Sequence, residues 1–223
     1  VLQYLDECPT NGTREIRLYF SQALAEKLFA NERTPLKYLL AQSRLIDHTF
    51  TYNTSYRRVA IENAAYYGAD QTLGIATVAS LDDVYAQARL FSGQRKKRML
   101  FSYANGFDME KEKAHVSDLI YSVGVKSYHW TFYDGFAYFT QIEYYDHFAI
   151  CDLRIEVENY LKQCRTYRYS TINIYCATPA LFHQLFDNNA EEFFRLLSNA
   201  GCTNTSISYN ESTGLLQVNN AAW

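Results

Sequence analysis

Cys8 is the side chain with the most direct reactive potential in this sequence. A thiol followed by Pro9 at a strand-to-helix turn would be activated by a helix amino end, which lowers thiol pKa and raises the thiolate fraction. His48, His115, His129, His147 and His183 are scattered, however, and nothing in their spacing sets one beside Cys8 as a base. A structural or disulfide-bonded Cys8 is the plainer reading. Asp6 and Thr10 bring hard oxygen atoms to the same segment, where closing a turn and capping the next helix is their ordinary use. The sequence holds no G-x-S-x-G elbow, no H-E-x-x-H, no P-loop and no G-x-G-x-x-G. The chain is therefore read as a protein without catalytic activity, with a thiol enzyme using Cys8 as the remote alternative.

Modification chemistry points outside the cell. Sequons stand at Asn11, Asn53, Asn204 and Asn210, against about two expected by chance from this composition. The five cysteines show neither C-x-x-C nor zinc spacing, as in a secreted, oxidising setting. Cys176 and Cys202 flank the C-terminal helices and are candidates for one bridge, and Cys151 with Cys164 for another; spacing does not fix connectivity. One cysteine is then unpaired or bonded to a partner. The expected location is extracellular, as a secreted protein or an ectodomain.

The 223 residues, 48% of them hydrophobic, suffice for one sizeable core, alone or with a small appendage. No run of eighteen uncharged apolar residues is present, so no membrane insertion is expected; Val1 begins without a leader-type pattern, and the numbering is read as starting at a mature or an artificially trimmed terminus. A net charge of -3 creates no field to gather nucleic acid or anionic lipid. The basic block Arg95–Arg98 precedes the apolar run from Met99 and reads as a solvated loop. Twenty tyrosines suit recognition surfaces and half-buried strands alike.

These residues need a scaffold. Val1 to Leu5 reads as a short buried strand, and Thr13 as the cap of a helix through Ile16, Phe20, Ala23, Leu24 and Leu28. Strands are expected around 45–52 and 58–67, a helix over 73–91, a strand from Met99 to Tyr103 and a helix over 110–123. Strands at 125–133 and 148–151 follow, with a helix over 153–164. The alternation predicts an α/β fold with a doubly wound, mostly parallel central sheet flanked by helices over 1–164. Residues 165–223 read as a small α+β extension: a strand at 169–176, helices after Thr178-Pro179, and a hairpin of 206–209 with 215–218.

Three segments in this order resemble the von Willebrand factor A family. They are Val1-Leu-Gln-Tyr-Leu-Asp6-Glu-Cys8-Pro-Thr10 in place of an apolar strand and D-x-S-x-S, Gln71-Thr72-Leu-Gly-Ile-Ala in place of a threonine loop opening a helix, and Met99-Leu-Phe-Ser-Tyr-Ala104-Asn105-Gly106 in place of a strand and T-D-G. The resemblance implies a metal-ion-dependent adhesion site at the carboxyl rim of the sheet, with Asp6, Thr10 and Thr72 as oxygen donors. Cys8 replaces a serine, Asn105 an aspartate and Ala104 a threonine. A soft thiol and a lost carboxylate both weaken magnesium binding. The resemblance thus implies a degenerate site with no cofactor, or only weakly bound Mg or Ca, and a module recognising another extracellular protein or a cell-surface receptor. The competing readings are a metal-dependent adhesion domain whose partner's carboxylate restores the missing charge, and a structural matrix component.

Overall fold

The computed structural model describes residues 1–46, 50–187, 189–203 and 206–223. They form two compact units, one of Val1–Asp83, Lys96–Glu112 and His129–Ile142, the other of Val84–Arg95, Lys113–Tyr128 and Glu143–Trp223. The boundary expected between 164 and 165 falls within the helix Arg154–Tyr167.

The amino-terminal segments exchange their expected identities. Leu5 and Cys8 are buried while Asp6 and Glu7 are exposed, which is a helical period, and Leu2–Glu7 is helix α1 rather than a strand. Ile16 and Leu18 are buried between exposed Arg17 and Tyr19, a period of two, so Ile16–Tyr19 is strand β1 rather than the start of a helix. The helix begins only after Ser21, whose hydroxyl accepts the Leu24 N–H at 3.4 Å and caps α2 (Gln22–Leu28). Left-handed Glu32 and Arg33 redirect the chain into α3 (Thr34–Ala41), with Pro35 in its first turn. Strands β2 (Thr51–Asn53) and β3 (Arg58–Ile61) complete an antiparallel sheet of order β1-β3-β2. Leu5, Cys8, Ile16, Leu36, Leu40 and Val59 share one core. Each aliphatic side chain buried there contributes about 1.5–3 kcal/mol.

The helix expected over 73–91 divides at a side-chain cap. Asp83 accepts the Ala79 N–H at 2.9 Å and Ser80 accepts the Asp83 N–H at 3.2 Å, separating β4 (Leu73–Val78) from α4 (Leu81–Gly93). Then come β5 (Arg98–Tyr103), α5 (Lys113–Tyr121), β6 (Val125–Tyr133) and β7 (Phe136–Tyr144), with sheet order β4-β5-β7-β6. The last stretch runs β8 (Ala149–Cys151), α6 (Arg154–Tyr167), β9 (Thr171–Cys176), α7 (Pro179–Phe186), α8 (Glu191–Asn199), β10 (Ser206–Asn210) and β11 (Leu215–Asn219), with order β10-β11-β9-β8. Glu156 accepts the N–H groups of Asp152 at 2.7 Å and Leu153 at 3.0 Å, which fixes the start of α6. Arg154 pairs with Glu158 within α6 and with Glu192 of α8, and the second pair ties the two helices together.

The single, mostly parallel central sheet is therefore not formed. Three separate sheets replace it, and among the described pairings only β4/β5 and β8/β9 are parallel. Short links explain this: β2 to β3 and β10 to β11 are joined by four residues, enough for a hairpin and far too few for a crossover between parallel strands.

The three sheets instead reflect an internal repeat. Each repeat carries a helix, a strand, one or two further helices and a pair of strands, and the last strand returns beside the first of these (β1/β3, β5/β7, β9/β11). Repeats two and three add a leading strand, β4 or β8, parallel to it. Side chains recur with the topology. Val1, Tyr4, Leu5, Cys8, Ile16 and Tyr19 return 156 residues later as Val157, Tyr160, Leu161, Cys164, Ile172 and Tyr175. Ala23, Leu24, Leu28, Phe29, Leu39, Leu40, Tyr52 and Asn53 return after 157 as Ala180, Leu181, Leu185, Phe186, Leu196, Leu197, Tyr209 and Asn210. Registers agree as well: Leu18 lies across from Val59, Ile174 from Leu216 and Phe101 from Ala137. Each return strand is entered through a left-handed residue, Arg57, Gly135 or Gly214.

Candidate interaction surface

The turns expected to converge on a metal do not meet. Thr72 directly precedes β4 and Asn105 lies two residues beyond β5, and because these strands are parallel the two residues stand at opposite ends of the sheet. Six residues of strand separate them by roughly 20 Å. Thr72 has a backbone role, its carbonyl accepting the N–H groups of Lys97 and Arg98, each at 3.0 Å. Asn105 is left-handed, with φ of 55°, at the turn after Tyr103. Asp6 lies on α1 and, with Gln3, Glu7, Thr10 and Asn11, lines an open depression. Among the described residues no group of three or more His, Cys, Asp or Glu side chains is placed to hold a metal ion. The loops mapped by the resemblance thus lack the shared rim that gives the family its site.

Cys8 sits at the carboxyl end of α1, not at a helix amino end, and is 2% exposed. Its neighbourhood is phenolic: Tyr66 donates to the Thr13 carbonyl at 2.5 Å, and burial followed by the proximity of Cys8 pushes the Tyr66 hydroxyl up to about 12. All five cysteines are buried free thiols. Cys151 lies in register with Cys176 across the parallel pair β8/β9. Burial raises Cys151 to about 12 and Cys164 and Cys176 to about 11.

Two of the four sequons are one structural feature seen twice. The Asn53 carboxamide oxygen accepts the Tyr56 N–H at 3.0 Å, and at the equivalent turn Asn210 accepts the Thr213 N–H at 3.4 Å and the Ser212 N–H at 3.1 Å. Both close the loop before the return strand. Their recurrence accounts for one of the sequons above the number expected by chance. Asn11 is exposed in the turn after α1, and Asn204 lies outside the described residues.

The surface that distinguishes the repeats is a sheet face. Tyr19 lies across from Arg58 and Arg17 from Ala60, while Thr51 and Asn53 continue the same two rows, so these residues share one face. The equivalent face of β5/β7 carries Leu100, Phe136 and Tyr138, all buried and packed with Ala41 and Tyr38 of α3. The equivalent face of β9 carries Asn173 and Tyr175, also buried, with the Phe148 ring 6.1 Å from that of Tyr175. Tyr19 occupies the position of Tyr175, yet Tyr19 is 67% exposed and Tyr175 2%. Periodicity within single segments does not reveal this face; its signal in the sequence is the V-x-x-Y-L-x-x-C pattern shared by 1–8 and 157–164.

No protein-family model matches the chain, and no curated protein matches its sequence. No described helix is long and apolar enough to cross a membrane.

Proposed function

We propose that this chain is a protein-recognition module that binds its partner through the first repeat. The observation that carries the reading is the contrast between Tyr19 and Tyr175. One repeated position is covered by packing in the third repeat and presented to solvent in the first. Repeat architectures characteristically offer their surfaces to other macromolecules, each unit being stabilised by its own core and its neighbours. Tyrosine and arginine are the residues most enriched at the energetic centres of protein interfaces, and this face combines Tyr19 with Arg17 and Arg58. The proposal rests on Tyr19, Arg17 and Arg58 and calls on no metal.

Cross-linking mass spectrometry on the tagged chain in its native source provides the test. The expected result is a heteromeric complex whose cross-links fall within residues 1–69. A chain that remains without a partner at native concentration would refute the proposal.

A further inference from the structure

Resting on that reading, we infer that the Tyr19 face receives an acidic amphipathic helix of another protein. Shape comes from the neighbouring sheet of the same unit. There the equivalent face is covered by a helix, with Tyr38 of α3 set against Phe136 at 5.2 Å between ring centroids and Ala41 beside it. In the second repeat a helix therefore covers the positions equivalent to Arg17 and Arg58.

Charge comes from the residues that replace the apolar ones. Arg17 stands where the second repeat has Leu100, and Arg58 where it has Phe136. Arg57 and the 70% exposed Tyr56 extend the Arg58 end. Among the described residues no ion pair is recorded for Arg57 or Arg58, and Arg17 has only Glu15, at 3.8 Å between two exposed side chains. An exposed pair of that kind contributes at most about 1 kcal/mol and exchanges readily for a better partner. Glu62 and Glu15 lie at the far end of the face, so its polarity is directional. Carboxylates are called for over Arg57 and Arg58, and a small or aromatic stripe against Tyr19 and Ala60. Guanidinium groups bind carboxylates bidentately, which gives the contact orientation as well as attraction.

The probe is a synthetic 14-residue helical peptide with tyrosine and alanine three positions apart on one stripe and glutamates flanking it, labelled for fluorescence anisotropy. Binding is expected to weaken at least tenfold in Tyr19→Ser and in Arg57→Glu, both at exposed positions, and to weaken as salt rises. Hydrogen exchange should slow over 16–19 and 58–61. A peptide with lysine in place of every glutamate should not bind. Equal binding of the lysine peptide, indifference to both substitutions, or no binding at all would overturn the inference and leave the face a solvated cap of the first repeat. Self-association abolished by Tyr19→Ser would overturn it in favour of a second copy. To separate this failure from failure of the functional reading, a photo-cross-linking phenylalanine derivative is placed in native extract either at position 19 or at the exposed Tyr4 of α1, which belongs to the first repeat but not to this face. Cross-links from position 4 alone would sink this face and leave recognition through the first repeat standing, whereas none from either would sink both.

Discussion

Arg98 holds two segments of the chain together through buried hydrogen bonds. Only 3% exposed, it has no carboxylate partner among its described bonds. Its guanidinium instead donates to the Gln71 carbonyl at 2.9 Å, the Ser43 carbonyl at 2.7 Å and the Tyr138 hydroxyl at 3.1 Å, with the Tyr67 ring 4.6 Å from its centre. It fastens the chain after α3 to the chain entering β4. Arg98→Met keeps much of the volume but leaves two carbonyl acceptors and a phenol without that donor. Each stranded acceptor costs about 1–3 kcal/mol, offset in part by no longer burying a charge, so the expected loss is about 3–4 kcal/mol. For a chain of this length that is roughly a 10 °C fall in melting temperature. Arg98→Lys retains a donor without the planar fork and should lose about half as much. Urea unfolding at pH 7 measures both, with an unchanged m-value showing that the denatured state is unaffected. An Arg98→Met variant within about 1 kcal/mol of the parent, or a lysine variant less stable than the methionine one, would refute the role assigned to the fork.

Gly124→Ala should destabilise by about 2–4 kcal/mol, because φ there is 89° and a Cβ would meet the Phe148 ring at 2.3 Å. Adding Phe148→Leu should recover the steric part and not the backbone part, as read by thermal melts. Asn53→Ala and Asn210→Ala should each cost about 1 kcal/mol, and a difference of more than about 1 kcal/mol between them would argue against equivalent turns. Tyr66, Tyr128, Tyr138 and Tyr209 are each pushed up to about 12, first by burial. The folded state therefore holds these protons more tightly than the unfolded chain, so their stabilising effect is complete below pH 10 and is lost as pH rises from 10 through 12. Denaturation midpoints that stay level across that range would contradict it. Cys151, Cys164 and Cys176, raised to about 11–12, should resist a thiol reagent at pH 8 until the protein unfolds.

Much of the local structure was legible in the residues. The Thr178-Pro179 start of α7, the strand from Met99, the helix closing near Cys164 and the hairpin ending at Leu215–Asn219 all follow from caps, breakers and periods. Periodicity misled where two elements meet within one window. Ile16, Phe20 and Leu24 fit a helical stripe although the chain changes from strand to helix at Ser21, and the segment from Leu73 to Phe91 hides the Ser80–Asp83 cap. Part of the strand expected around 45–52, including His48, lies outside the described residues.

What the sequence by itself determined is the repeated unit, since Leu5 and Cys8 recur as Leu161 and Cys164 on a buried helix face, and Ile16 recurs as Ile172 on the buried side of the strand that follows. Partition into three sheets was left to the tertiary structure, because hydrophobic alternation marks a strand without naming its neighbour, and short return links close hairpins before a continuous parallel sheet can grow. Whether a repeated face is covered was decided there too. Tyr19 and Tyr175 are the same residue in the same place of the repeat, and only the packing around each makes one core and the other surface.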